Sequence, residues 1–146
     1  RSNSRMRMPA NKRTDAYLDV VEQAGLSALV REVEFVKPDD EKGAVVAKIL
    51  DENPDIDGIF AGDDTMAAIC LNVMKQRGLS APDDIKVVGA DGARRTMTFM
   101  PDLTTVRQDI DRIGELAAQS IIALINGDNP ESNIKLPVEL IEGKTA

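Results

Sequence analysis

The sequence predicts an α/β domain built on a parallel sheet, and three observations carry that prediction. Short apolar runs at Asp57–Ala61 and Ile85–Ala90 alternate with stretches of helical periodicity, the order a parallel sheet with crossover helices requires. The two runs do not alternate apolar with polar residues, as expected of strands covered on both faces. Three helical stretches are closed by glycine (Gly25, Gly78 and Gly127), the residue best suited to the left-handed position after a helix end.

Each element follows in order. A helix is predicted from Pro9, because proline suits a first turn and Ala16, Tyr17, Val20, Val21 and Ala24 recur at helical spacing before Gly25. Val30–Val36 alternates and reads as a strand. Asp39 or Asp40 can cap a second helix bearing Ala44, Val45, Ile49 and Leu50, which Asn53-Pro54 breaks. Strand Asp57–Ala61 runs into Gly62-Asp63-Asp64 and a helix to Arg77. Pro82-Asp83-Asp84 is a turn, and Ile85–Ala90 is apolar apart from Lys86. The pattern loosens through Gly92–Pro101, and Leu103–Val106 is strand-like. Asp109–Asn126 is a long amphipathic helix with Ile110, Ile113, Ala117, Ile121 and Leu124 on one stripe. After a polar connector, Asp128–Asn133, the last strand is Ile134–Ile141, kept at an edge or a bend by Pro137.

Composition narrows the function. The 146 residues carry 42% hydrophobic and 29% charged residues and a net charge of -7, with basic residues clustered at the start (Arg1, Arg5, Arg7, Lys12, Arg13). An acidic body repels phosphate backbones, so these residues are not expected to hold nucleic acid by themselves. A single cysteine, Cys70, cannot close an intramolecular disulfide, and no apolar run is long enough to span a bilayer. The chain opens without methionine on polar, loop-like Arg1–Arg7, and a helix pattern precedes any strand. It is therefore expected to be a piece of a longer protein, whose localisation signals or DNA-reading module would lie upstream.

Histidine is absent, which removes the commonest general base and metal ligand. No nucleophile elbow, phosphate loop or paired-cysteine metal spacing occurs. Neither an enzyme nor a metal or cofactor site is expected. Position along the fold says more, because open α/β sheets bind ligands beyond the carboxyl ends of their strands. Asp63 follows one strand and Asp91 the next. Arg13, three and four residues before Ala16 and Tyr17, shares their helix face near its N-terminus and should point toward the same crevice. Two carboxylates and a guanidinium suit a polyhydroxylated ligand such as a sugar better than an apolar one. Plainer roles stand beside these. Asp63 or Asp64 caps a helix whatever the function, Asp91 could start a turn before Gly92, and Arg13 could be a solvated helix residue or pair with neighbours on the Asp15 side. Cys70 and Met74 read as core or interface filling, and Arg94-Arg95 as a solvated loop.

Five strings together resemble the LacI (lactose-repressor) family of transcriptional regulators. Ile59–Leu71 (IFAGDDTMAAICL) resembles its strand followed by N/D-D-x-M-A and a helix. Gly78-Leu79, Pro82-Asp83-Asp84-Ile85 and Val87–Asp91 resemble G-L-x-x-P-x-D-I-x-V-V-G-x-D. Pro101–Gln108 (PDLTTVRQ) is similar to P-x-L-T-T-V-x-Q, and Leu136–Ile141 with Lys144-Thr145 to L-P-x-x-L-I-x-R-x-T. Upstream, Arg13–Tyr17 (RTDAY) is similar to R-x-x-G-F. The likeness covers nearly the whole chain, in order.

The resemblance implies a three-layer, parallel-sheet lobe of the periplasmic-binding-protein-like type I fold, incomplete at its N-terminus. Residues 1–107 would form the C-terminal lobe of an effector-binding domain. Residues 108–128 would cross to the N-terminal lobe and supply its helix, and residues 129–146 would return as a final strand. Arg13, Asp63 and Asp91 fall on the family's effector-contacting positions, and Gln108 lies at the crossing, facing the cleft. The implied function is a cytoplasmic, dimeric repressor's sensor for a small-molecule effector, with no catalysis and operator DNA held only through a head outside this sequence. A sugar-binding protein of a transport system is the alternative. Phe99 is expected at the dimer interface. Departures are Ala16 for a usual glycine, Asp63 where asparagine is common, and Ala90 for a common aromatic. Asp63 loses an amide donor and adds a charge, so the ligand is expected to differ from the usual sugars.

Overall fold

A computed structural model of the chain describes residues 9–146, so the loop-like Arg1–Arg7 lies outside the described residues. The chain divides into two compact units, residues 1–56 and 57–146, each taken here by itself.

The described part of the first unit holds two helices, α1 (Pro9–Gln23) and α2 (Asp39–Glu52). Gly25 follows α1 with φ of 68°, the left-handed stop its position predicts. Helix α2 departs from expectation at its start. Its N-cap is Pro38, which offers no side-chain acceptor, and Asp39, Asp40 and Glu41 all lie in the first turn. Carboxylates there complement the positive end of the helix dipole instead of capping it. Its buried positions are Lys42, Val46 and Leu50, whereas Ala44 is exposed, so the buried stripe is offset from the one expected. At the other end Asn53 closes the helix, its N–H bonded to the carbonyl of Ile49.

Val30–Val36 is not a strand. Alternation describes a strand's two faces, but a strand also needs a neighbour to satisfy its backbone, and the sheet consists of four other segments. Phe35 and Val36 stand 84% and 85% exposed, and Val30 and Val33 are only half-buried, so the segment has little apolar burial to offset its ordering.

The second unit carries a four-stranded sheet, β1 (Gly58–Phe60), β2 (Lys86–Asp91), β3 (Thr104–Gln108) and β4 (Val138–Ile141), in that spatial order. β1, β2 and β3 pair in parallel; β4 is antiparallel to β3. The fold is therefore α/β with a mostly parallel sheet, as the sequence predicts. Helix α3 (Asp64–Gln76) connects β1 to β2 and packs on β2. Its Ala67, Cys70, Val73 and Met74 are buried with Val87, Ala90 and Leu103, a stripe of small and medium apolar side chains at helical spacing. β1 lies at a sheet edge, and its Phe60 is partly exposed.

Three further differences have local causes. A short helix, α4 (Arg94–Phe99), occupies the stretch that reads as irregular. β3 extends two residues past Val106 to Gln108, because its neighbours on both sides continue: Asp91 is in register with Arg107 and Val138 with Gln108. β4 begins only after Pro137, which has no N–H to give a ladder; it is an edge strand, where such a residue is tolerated.

Helix α5 (Ile110–Ile125) opens on Asp109, whose carboxylate accepts from the Arg112 N–H at 2.9 Å. None of its residues is buried, and Ile110, Ile113, Ile121 and Leu124 of its apolar stripe are exposed. With residues 129–136 the helix borders an open groove of about 660 Å³, lined by Ile113, Ala117, Leu124, Ile134 and Leu136 and reaching Gln108.

The C-terminal tail is laced into the sheet. The Val87 N–H donates to the Thr145 carbonyl at 2.6 Å, and the Thr145 hydroxyl accepts from the Thr104 N–H at 3.0 Å and donates to the Val87 carbonyl at 2.7 Å. Gly143 lies against the backbone of Asp102 and Leu103, where a Cβ would overlap the Asp102 carbonyl.

Candidate functional site

Because β1, β2 and β3 run parallel and adjacent, their carboxyl ends lie along one margin of the sheet. Three of the four residues singled out from the sequence fall there. Asp63 follows β1, Asp91 closes β2 and Gln108 closes β3. The fourth, Arg13, lies on α1 in the first unit.

Asp63 is the N-cap of α3, with extended backbone and its Oδ1 accepting from the Met66 N–H at 2.8 Å. That settles which of the two adjacent acids caps the helix. One carboxylate oxygen is thereby oriented by the helix start, and the side chain stays half-buried. A capped carboxylate at a helix N-terminus is held in one rotamer, which suits it to present a fixed acceptor.

Asp91 adopts φ of 107°, the one non-glycine residue with positive φ among the described residues. Such a conformation costs on the order of 1–3 kcal/mol and concentrates at ligand clamps and active sites. Its Oδ1 accepts from Nε2 of Gln108 at 2.7 Å, so the structure brings these two predicted residues together. Gly92 follows with φ of 58°, and a Cβ there would lie 2.6 Å from the Arg107 Cα. Glycine at 92 thus meets two demands, left-handed backbone and close approach to β3. The turn before Gly92 is real, but the acid that starts it is also bonded across the sheet margin.

Asp64, the neighbouring acid, does not cap the helix. It is the first residue of α3, only 3% exposed. Its Oδ1 accepts from the Thr105 hydroxyl at 2.5 Å and its Oδ2 from the Ala93 N–H at 3.3 Å. A Cβ on Gly89 would stand 2.6 Å from that Oδ1, so the glycine in the middle of apolar β2 leaves room for a carboxylate. A lone glycine within a strand is the signal that marks such an approach.

Chemically the margin offers oriented acceptors and a carboxamide. Among the described residues no group of acids, histidines or cysteines could hold a metal ion. Arg94 and Arg95 are exposed at the start of α4. Phe99 ends that helix and is 76% exposed, on a helix and not on the loop expected.

The model of the periplasmic binding protein-like domain family matches residues 2–146. The ribose operon repressor of Halalkalibacterium halodurans is 31% identical over 138 residues, 94% of this chain and 41% of the relative. The sucrose operon repressor of Pediococcus pentosaceus is 34% identical over 140 residues, 94% and 43% of the two chains. The chain thus spans less than half the length of these curated relatives. Among solved structures, a LacI-family transcriptional regulator from Arthrobacter sp. FB24 in complex with lactose superposes with a TM-score of 0.80 at 27% identity, covering 91% of this chain and 50% of that one.

Proposed function

The chain belongs to the periplasmic binding protein-like domain family, and from that premise we propose that it is part of the effector-sensing region of a LacI-family transcriptional repressor. One observation carries the reading: Asp63, Asp91 and Gln108 stand at the carboxyl ends of three adjacent parallel strands, with Asp91 in a strained conformation and bonded to Gln108. Open α/β sheets take their ligands at that margin, and strain there is retained where it serves a site. The effector is a sugar, whose hydroxyls donate to the two carboxylates. The names of the relatives, which are operon repressors, favour a regulator over a transport protein.

In this reading Asp63, Asp91 and Gln108 contact the effector, and Arg13 joins them on the strength of the sequence resemblance. The proposed division keeps residues 1–107 in the C-terminal lobe, residues 108–128 as the crossing and helix of the N-terminal lobe, and residues 129–146 as the returning strand. The pairing of β4 with β3 supports the last of these, and the exposed stripe of α5 supports a cover from the rest of the first lobe. The protein has no catalytic role. It works in the cytoplasm as a homodimer, with Phe99 at the interface, and grips operator DNA through a head outside this sequence. Effector binding biases the angle between lobes and so the spacing of the heads. No helix of the described residues is long and apolar enough to cross a membrane.

Calorimetric titration of ribose, sucrose, lactose and cellobiose into the full-length protein and its Asp91→Ala variant tests the proposal. Binding of one sugar that the variant loses supports it. Equal binding by the variant removes the site assignment, and absence of binding to any of them removes these four sugars as the effector.

A further inference from the structure

We infer that Asp64 is a positioning residue: its buried carboxylate ties the start of α3 to the turn Asp91–Ala93 and so holds Asp91 in the conformation in which it meets Gln108.

Asp64 is not needed as a cap, since Asp63 already supplies that acceptor to the Met66 N–H. It is not solvated either, at 3% exposure. Burying a carboxylate is costly unless it is hydrogen-bonded. Two donors meet it from different elements, the Thr105 hydroxyl of β3 at 2.5 Å and the Ala93 N–H of the turn after β2 at 3.3 Å. The strand between them is shaped for it as well, because at Gly89 any side chain would press on Oδ1. One carboxylate therefore touches the two strands that carry Asp91 and Gln108 and the turn that joins β2 to α4.

The geometry of that turn gives the contact its consequence. Asp91 has φ of 107° and Gly92 φ of 58°, two successive residues outside the ordinary right-handed regions. Ala93 is the first residue past them and the N-cap of α4. A chain relaxing from such a turn would move Ala93, and the carboxylate of Asp64 bonds that residue's N–H. Strained backbone persists only where the surroundings over-determine it. Asp64 supplies the restraint on one side of the turn, and the pairing of Asp91 with Arg107 in the ladder supplies it on the other. Both strand ends then present Asp91 and Gln108 at hydrogen-bond distance.

The inference rests on the proposed effector site for its significance, but its test needs no effector, so the two fail separately. Nuclear magnetic resonance on the 15N-labelled full-length protein reads the Ala93 amide and the Gln108 side-chain amide. In the unsubstituted protein the Ala93 amide exchanges at least tenfold more slowly than an unprotected one; free exchange there overturns the inference, whatever the variants do. In Asp64→Asn, Ala93 exchange rises at least tenfold and the Gln108 side-chain signals shift toward those of a solvated carboxamide. Thr145→Val, which removes a buried hydroxyl from the Thr104 N–H and the Val87 carbonyl without touching Asp64, serves as the control for lost stability. It leaves both signals in place. If Asp64→Asn leaves them unchanged, or Thr145→Val moves them equally, Asp64 is a core residue with no positioning role.

Discussion

Gln108 Nε2 donates to Asp91 Oδ1 at 2.7 Å, joining the last residue of β3 to the last residue of β2. The register places Arg107 beside Asp91, so Gln108 reaches back one position across the sheet margin. A half-buried carboxylate with one oxygen fixed in this way is oriented before a ligand arrives, and its ordering entropy is already spent.

Replacing Gln108 with leucine keeps the bulk and removes the amide. Under the proposed function, affinity for the sugar identified by titration falls about five- to tenfold, the worth of roughly one hydrogen bond of 1–1.5 kcal/mol. The melting temperature changes little, because the pair is only part-buried. Calorimetry and a thermal melt on the same variant decide it: unaltered affinity would place Gln108 outside the site.

The positive φ of Asp91 predicts an unusual ordering of two substitutions. Asp91→Ala loses the bond to Gln108 and keeps the strain, since alanine also has a Cβ. Asp91→Gly loses the same bond but relaxes the backbone. The glycine variant is therefore the more stable, by about 1 kcal/mol or roughly 3 °C in melting temperature, while neither variant retains the sugar. Equal melting temperatures would mean that the conformation costs nothing.

Much of the second unit was legible in the sequence because its signals are local. The apolar run before Gly62, the pair of acids and the stop at Gly78 lie within about twenty residues and specify β1, α3 and the margin between them. What stayed hidden depends on partners distant in sequence. Val30–Val36 has strand periodicity, but no periodicity can show whether a neighbour exists to pair with it. Helix α4 spans six residues, too few for a hydrophobic repeat to register, and its N-cap is bonded to Asp64, 29 positions earlier. Asp63 and Asp64 are chemically identical neighbours, so their separate duties could not be divided locally. Gly89, alone inside an apolar strand, was the available sign that one of them approaches β2.

The tail offers a prediction about stability alone. Thr145 is buried, and its hydroxyl serves the Thr104 N–H and the Val87 carbonyl at once. Thr145→Val keeps the shape and takes the hydroxyl from the buried Thr104 N–H, at a cost of about 1–3 kcal/mol. Thr145→Ser keeps the hydroxyl, loses one methyl and costs about 1 kcal/mol. Urea unfolding of the two should rank serine above valine. The reverse ranking would show that the methyl, and not the hydroxyl, secures the tail.

Cys70 supplies the pH dependence. It is 4% exposed on the buried face of α3, and burial pushes its thiol up from 9.0 to about 11, against a backbone hydrogen bond that pulls it down. Because the thiolate is the reactive form, iodoacetamide should modify the folded protein slowly at neutral pH and the urea-unfolded chain readily. The same shift has a thermodynamic sign. Below about pH 9 the thiol is protonated in both states, and folding is not opposed by it. Between about pH 9 and 11 the unfolded chain releases the proton first, so the unfolded state gains and stability is lost as pH rises. A Cys70→Ala variant lacks that proton. From pH 8 to pH 10.5 the unsubstituted protein should therefore lose about 1–2 kcal/mol more than the variant in urea unfolding. Identical pH dependence of the two would mean that the thiol is not desolvated in the fold, and that α3 does not seal against β2 as closely as its buried stripe requires.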